Sequence, residues 1–255
     1  MKVSIATKSF LLAFTLMSAQ AHAVLIEGYF TGSVRSFENG TADGLFAGYW
    51  ENVSVGSVVS GSFWYDTSKS PADTATDSHY TQYHSYTDEW MGSNFTIDGK
   101  TYFISDHVPL DRYVIETEGI NLFDLETTNS YPYPSRELFY LYDNISSGGH
   151  NGGYKAIGLM VEVSKEDKTL LDGLGIIQEF DWYDVDDPTS YAHAYIDIGV
   201  TTADEMRVSN AWVDISELHV RIKNSTRVPE PPALLLFSFA VLGLLAKRKL
   251  IGERL

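Results

Sequence analysis

The sequence predicts an all-β protein, with an antiparallel β-sandwich or jelly-roll-like domain at residues 24–227, and three observations indicate this fold. Short runs of β-branched and aromatic residues alternate with Gly, Asn, Asp and Ser, as strands and turns do. No long segment between residues 24 and 227 repeats apolar residues at the helical period. A parallel sheet would need helical crossovers, which the sequence therefore does not supply. The two ends of the chain differ in composition and predict other structures.

Eight or nine strands are predicted within residues 24–227. The runs at residues 24–35 and 53–66 mix Val, Phe and Tyr with Gly and Ser, which is typical of half-buried strands with bulges. Asp98-Gly99 separates two alternating runs within residues 94–104 and predicts a hairpin. Further strands are predicted at residues 112–117, 137–143, 155–164, 192–200 and 212–223. A length of about 200 residues fits one β-rich domain, although two small domains also fit.

Residues 1–23 have the features of a secretory signal peptide. Lys2 and Lys8 are followed by an apolar run at residues 10–17, and Ala21-His22-Ala23 matches the small-x-small cleavage rule. The alternative is an ordinary first helix, whose apolar stretch would have the length of a signal core only by coincidence. We expect signal peptidase to cleave after Ala23 and the protein to be exported.

The C-terminal segment, residues 228–250, predicts a single transmembrane helix. Its apolar run at residues 233–246 would be about 21 Å long as a helix, which is shorter than the roughly 30 Å hydrocarbon core of a bilayer. Basic side chains can extend such a segment by reaching the headgroups, and they place the C-terminus inside. The basic cluster is Lys247, Arg248 and Lys249. Residues 251–255 would form a cytoplasmic end, and the alternative is a core helix of the globular domain.

The order of parts in this tail resembles the PEP-CTERM sorting signal. Pro229-Glu230-Pro231 precedes a short apolar helix and a basic cluster, as in exported proteins of Gram-negative bacteria that secrete exopolysaccharide. The resemblance implies that the tail holds the protein transiently in the inner membrane. It also implies processing near Pro229-Glu230-Pro231 by an exosortase and delivery to the cell surface or extracellular matrix. Pro232 and the extension after Leu250 depart from the family pattern.

Charge and cysteine content exclude several classes of function. The chain has a formal net charge of −16, and residues 24–227 hold 32 of its acidic residues against 12 basic ones. Such a domain lacks the basic surface that nucleic acids and anionic polymers require. Because cysteine is absent, disulfides, thiolate metal sites and cysteine nucleophiles are excluded.

One acidic segment, residues 179–188, is a candidate for Ca²⁺ binding. Oxygen-rich clusters with alternate acids hold Ca²⁺ in extracellular modules. The candidate ligands are Asp181, Asp184, Asp186 and Asp187. The segment lacks the Gly and the final Glu of an EF-hand loop, and the alternative is a solvated acidic loop. No other cofactor is predicted.

A second segment, residues 78–90, is a candidate for carbohydrate binding. Aromatic rings can stack on the apolar face of a pyranose while nearby polar groups bond to its hydroxyls. The candidate rings are Tyr80, Tyr83, Tyr86 and Trp90. The alternative is that these rings pack in the sandwich. A zinc site at His79 and His84 would lack an evident third ligand.

No catalytic constellation is evident, since the adjacent Ser105-Asp106-His107 cannot converge on one another. Three functions remain open. The first is a non-enzymatic surface or matrix protein with a structural or adhesive role in exopolysaccharide or biofilm. The second is a carbohydrate-binding module. The third is a polysaccharide-active enzyme, which would need two carboxylates about 5–9.5 Å apart. An exposed strip of rings or a pair of converging buried acids would discriminate among them.

Overall fold

The structure, a computed structural model, describes residues 24–40, 48–72, 75–76, 79–86, 90–106, 113–125, 135–148, 153–184, 189–201 and 206–223. The chain divides into two units, residues 1–223 and 224–255, and every described residue belongs to the first. The predicted signal peptide and the whole predicted sorting tail lie outside the described residues. Within the described ranges, no helix has the length and apolar character needed to cross a membrane.

Within these described residues, twelve strands form one antiparallel sheet. They are β1 (Leu25–Asn39), β2 (Val58–Asp66), β3 (Ala75–Thr76), β4 (Tyr80–Ser85), β5 (Met91–Ile97), β6 (Lys100–Phe103), β7 (Tyr113–Leu125), β8 (Arg136–Gly148), β9 (Tyr154–Lys165), β10 (Phe180–Tyr183), β11 (Ser190–Thr201) and β12 (Met206–Ile222), with one 3-10 turn at Ile104–Asp106. The strand order is β3-β4-β7-β8-β9-β11-β12-β1-β2-β5-β6, and β10 pairs with β12. The prediction of an all-β, antiparallel fold is confirmed.

The sheet curls so that its two halves share one core. Along β1, Ile26, Phe30 and Val34 are buried while the residues between them face outward, as a strand with one solvated face requires. Phe63 of β2 stacks against Phe139 of β8 with ring centroids 6.2 Å apart, although the two strands are far apart in strand order. The two layers of this sandwich-like fold are therefore parts of one continuous sheet.

The longest strands, β1 and β12, carry irregularities in their pairing. Their register shifts between Thr31 and Gly32 and again between Val34 and Ser36. A Cβ atom on Gly32 would lie 2.3 Å from the backbone oxygen of Asp214, so only glycine fits this close approach. Bulges of this kind bend a strand and increase its twist. The bend divides β12 into a part that pairs with β11 and a part that pairs with β10.

The predicted hairpin at Asp98-Gly99 is confirmed. Both residues have positive φ, 54° and 70°, as a two-residue turn of this type requires. The predicted acidic segment begins as a strand, β10, because Phe180 and Trp182 face the core while Asp181 and Tyr183 face outward. A loop therefore accounts for only part of that segment.

Candidate functional site

The four rings predicted to form one sugar-binding face are divided between the core and the surface. Trp90 is fully buried and packs edge-on against Tyr65, with ring centroids 6.1 Å apart. Tyr83 packs against the core from the inner side of β4. Tyr80 and Tyr86 are on the other side of the strand, because successive side chains alternate between faces. The prediction that Trp90 belongs to an exposed ring surface is wrong, since its indole fills the core.

The candidate calcium ligands are only partly described. The Asp181 carboxylate contacts Arg221 and His219, so cationic side chains already neutralise it. Asp184 is exposed, and its backbone N–H donates to the oxygen of Ser216 at 2.9 Å. Asp186 and Asp187 lie outside the described residues. In the described part of the chain, no three His, Asp or Glu side chains are grouped to hold a metal ion.

The sorting-motif residues Pro229, Glu230 and Pro231 and the basic cluster Lys247, Arg248 and Lys249 also lie outside the described residues. The structure therefore neither supports nor opposes the routing predictions.

An exposed set of rings covers the outer face of the layer that contains β6, β5, β2, β1, the last part of β12, and β10. Its members are Tyr29, Trp64, Phe103 and Tyr183, with 53%, 39%, 46% and 50% of their surfaces exposed. We call these four rings and the polar side chains between them the platform. Each ring is outward because its sequence neighbours face the core, as Phe63 and Tyr65 do on either side of Trp64.

Strand register aligns the platform. One row of directly paired outward residues crosses six strands and consists of Phe103, Asn94, Ser62, Tyr29, His219 and Asp181. Trp64 stands in the row on one side of it, paired with Glu27, and Tyr183 stands in the row on the other side, paired with Glu217. Since neighbouring strands are about 4.8 Å apart, Phe103 and Tyr29 are separated by about 14 Å. The platform is therefore long enough to contact several sugar units of one polymer chain.

His219 is the centre of the platform's polar network. Its Nδ1 contacts the Asp181 carboxylate, and its Nε2 lies 2.5 Å from Oε1 of Glu217. Both ring nitrogens must donate in this arrangement, so the imidazole is protonated. Burial alone would lower the pKa of His219, but the hydrogen bonds to Glu217 and Asp181 outweigh it and hold the pKa above its usual value. The imidazolium fixes two carboxylates in place.

The same imidazolium is in contact with two platform rings. Its centroid lies 4.6 Å from that of Tyr29 and 5.4 Å from that of Tyr183, which meets it edge-on. The Asp181 carboxylate, which His219 binds, also accepts a hydrogen bond from Arg221, and this hydrogen bond lowers the pKa of the Asp181 carboxyl. The network holds rings and hydrogen-bonding groups in one arrangement before any ligand binds.

The platform's charges are largely compensated within it. Arg221 pairs with Asp181, and Lys223 pairs with Glu27. Between the rings, Nδ2 of Asn94 donates to Oγ of Ser62 at 2.7 Å, and these groups retain further hydrogen-bonding capacity. Flat rings interspersed with neutral and paired polar groups match a neutral polysaccharide better than a charged one.

Two buried acids also converge, but in the interior. Glu118 of β7 and Asp143 of β8 are directly paired across the two strands and are only 6% and 2% exposed. Oγ of Ser93 donates to Oδ2 of Asp143 at 2.7 Å across the core. A hydrolase needs its carboxylates on either side of a bond in a bound substrate. A polymer chain does not reach side chains this deeply buried in the structure as it stands.

Sequence reasoning missed the platform rings. Tyr29, Trp64 and Phe103 each stand beside core aromatic or aliphatic residues, so the strands read as generally apolar. One signal was present at Phe63-Trp64-Tyr65, because three consecutive aromatics in a strand must place at least one ring on each face. The register that aligns the rings on different strands was not readable from the sequence.

No protein-family model matches this chain, and no curated protein or solved structure is significantly similar to it. The geometry of the described surfaces and the residues of the two ends are the features that indicate a function.

Proposed function

We propose that this protein is an exported, non-enzymatic surface or matrix protein that adheres to neutral polysaccharide through the platform. The observation that carries the proposal is the row of six paired outward residues with four exposed rings in and beside it. Successive side chains of a strand point to opposite faces, so the alternation that buries the core also puts all four rings on one outer surface.

The physical argument concerns what large exposed rings do. A ligand that covers these rings removes their apolar surface from water, which stabilises the complex by roughly 25 cal/mol per Å². The exposed rings are Tyr29, Trp64, Phe103 and Tyr183. Contiguous exposed apolar surface with polar groups around it marks interaction sites. The apolar faces of sugar rings cover such a surface, and their hydroxyls bond to Asn94, Glu217 and similar groups. The net charge of −16 disfavours anionic polymers.

The proposed routing uses the two ends of the chain. Signal peptidase removes residues 1–23, the apolar tail holds the protein in the inner membrane, and an exosortase processes it near Pro229-Glu230-Pro231. The support for this is the order of the triplet, the apolar run and the basic cluster. The destination is the cell surface or the extracellular matrix, where exopolysaccharide is the proposed partner. Adhesion through the platform requires no cofactor, and Ca²⁺ bound by the acidic segment would be an addition to it.

The adhesion proposal is tested with the purified full chain in detergent. Its binding to soluble neutral glucans and to an anionic polysaccharide is measured by affinity electrophoresis. We expect retardation by a neutral polymer, and we expect Tyr29→Ala with Trp64→Ala to abolish it. Tyr154→Ala is the matched control, because Tyr154 is 48% exposed and lies outside the platform. Equal retardation of the platform variant and the wild type would overturn the proposal.

The routing proposal has its own test. The chain is expressed in a host with an exosortase and in the same host without it, and its intact mass and cell fraction are compared. We expect loss of the residues after about Pro231 and release from the inner membrane only when the exosortase is present. A full-length, membrane-bound product in both hosts would mean that the tail is a permanent anchor.

A further inference from the structure

The outer face of the other layer carries a second set of rings beside polar groups. Eight outward positions on β8, β9, β11 and β12 form two adjacent rows. The first row is Tyr142, Met160, Tyr195 and Trp212, and the second is Asn144, Gly158, Asp197 and Asn210. We call these eight residues the Asp197 face. Tyr195 and Trp212 contact each other with ring centroids 5.0 Å apart.

Asp197 and Asn144 approach each other over Gly158. A Cβ atom on Gly158 would lie 2.7 Å from Oδ1 of Asp197 and 3.4 Å from Cγ of Asn144. The two side chains therefore lean into the space that any larger residue at position 158 would fill. They place a carboxylate and a carboxamide side by side, next to the ring row.

These acceptors lack donors. No described residue donates a hydrogen bond to the Asp197 carboxylate, and Oδ1 of Asn144 is buried without a described partner. The buried carboxylate of Glu137 shows the usual solution, because it accepts the backbone N–H groups of Leu170 and Leu171 at 2.8 and 2.9 Å. Buried polar atoms are normally satisfied in this way, so the unpartnered, buried Oδ1 of Asn144 beside Asp197 requires an explanation.

Asp197 is also charged at neutral pH. Burial raises the pKa of its carboxyl to about 6, so the ionised form predominates at pH 7 and above. Arg35, which lies over the ring of Trp212 at 5.7 Å from its centroid, pairs with Asp214. An ionised, half-buried carboxylate without a described partner destabilises the free protein. A ligand that neutralises it would recover that free energy.

The chemistry of the missing ligand follows from these groups. The carboxylate and the amide oxygen only accept, so the ligand must donate hydrogen bonds, and the uncompensated charge favours a cation. The flanking rings of Tyr142, Tyr195 and Trp212 add flat apolar surface and attract ammonium groups. Ca²⁺ takes six to eight oxygen ligands, and the Asp197 face supplies a single carboxylate. An ammonium group on a sugar ring satisfies all of these requirements.

We propose that the Asp197 face is a second glycan-binding site, specific for sugars that carry a free, protonated amino group. The ammonium group binds between Asp197 and Asn144, and the sugar ring lies on the neighbouring Tyr rings. This inference rests on the proposed function in assigning a glycan ligand, but it uses none of the platform residues. With both sites, one molecule holds an amino-bearing chain on one layer and a neutral chain on the other.

The test uses the full chain and two probes of equal length, a glucosamine hexamer and its fully N-acetylated form. Isothermal titration at pH 7 is expected to show that the glucosamine hexamer binds at least ten-fold more tightly. Asp197→Asn is expected to remove this preference. Asp184→Asn is the matched control, because it removes the same charge from an exposed position and so reports the general attraction of cations to an acidic protein.

Three results would overturn the inference. They are equal binding of the two hexamers, unchanged preference in Asp197→Asn, and an equal loss of preference in Asp184→Asn. Millimolar Ca²⁺ that displaces the glucosamine hexamer from the wild type and binds without it would reassign the face to a metal ion. The platform is tested separately, since Tyr29→Ala is expected to weaken neutral glucan binding and to leave the hexamer preference intact.

Discussion

The platform and the Asp197 face are two outer surfaces of one sheet, and they differ in how their polar groups are satisfied. In the platform, the imidazolium of His219 joins two carboxylates, and Arg221 completes the pairing. On the Asp197 face, a half-buried carboxylate has no described donor. Rings flank both surfaces. A satisfied network is complete without a ligand and presents a preformed, neutral surface, whereas an unsatisfied one is completed by a ligand of opposite charge.

A single strand supplies both surfaces. The first part of β12 carries Trp212 and Asn210 next to β11, and the last part carries His219 and Arg221 next to β10. The bulged region between them turns the strand from one layer to the other. The two surfaces are therefore joined by the backbone of one strand, but they use different side chains. A substitution on one surface should leave the ligand contacts of the other intact.

The largest expected effect separates the two surfaces by their ligands. Replacing Tyr29 and Trp64 with Ala together removes two of the four platform rings, each of which contributes about 1–2 kcal/mol when a ligand covers it. Neutral glucan affinity should fall by about 30-fold or more, as measured by titration, while the glucosamine preference stays. Tyr29 is 53% and Trp64 39% exposed in the free protein, so the thermal midpoint should fall less than it would for a fully buried ring such as Trp90. A parallel loss at the Asp197 face would show that the two surfaces are not independent.

The next effect is a change in the free energy of unfolding. Replacing Asp197 should raise it, whereas replacing His219 should lower it. Because burial raises the pKa of Asp197 to about 6, the folded protein binds the proton more tightly than the unfolded chain does. This contribution to stability is complete below about pH 4 and is lost as the pH rises through about 6. Asp197→Asn should therefore stabilise the protein at pH 8, by up to about 3 kcal/mol.

Thermal melts of the wild type and Asp197→Asn at pH 4 and pH 8 measure this effect. The midpoint of the variant should exceed that of the wild type at pH 8, and the gap should close at pH 4. A variant that is less stable at pH 8 would mean that Asp197 has a stabilising partner in the folded protein, which would remove the main argument for a missing ligand. The control is Asp184→Asn, whose midpoint should follow that of the wild type at both pH values.

His219 provides the opposite case, on the platform. Its folded-state pKa is raised, so its contribution to stability is complete below its unfolded pKa, near 6.5, and is lost as the pH rises through the folded pKa. His219→Gln leaves Asp181 and Glu217 without the imidazolium and should cost about 1–2 kcal/mol at pH 5.5. Chemical denaturation at pH 5.5 and pH 9 should show a smaller difference at pH 9. A difference that grew with pH would contradict the imidazolium assignment.

The two surfaces also show how far the sequence could predict this molecule. The fold class and the Asp98-Gly99 hairpin were predictable, because period-two alternation and turn chemistry are local. The sugar-binding prediction chose rings that are close in sequence, and alternation then placed Tyr83 and Trp90 on the core side. The platform joins rings from four strands, and only long-range register brings them together. The close approach of the Asp197 carboxylate to β9 likewise depends on Gly158, a residue of another strand.

The smallest expected effect sharpens the statement that the platform is preformed. Nδ2 of Asn94 donates to Oγ of Ser62 between Phe103 and Tyr29, so the amide is held where a sugar hydroxyl would meet it. Asn94→Ala should weaken neutral glucan binding by about three- to ten-fold, since a neutral hydrogen bond contributes about 1 kcal/mol.

Asn94→Asp keeps the size of the side chain but adds a negative charge. It should bind neutral glucan nearly as the wild type does if the position only accepts from hydroxyls, and as weakly as Asn94→Ala if the amide N–H groups are required. Titration of both variants with one glucan decides which role Asn94 has. Unchanged affinity in both variants would show that Asn94 makes no contact with the glucan.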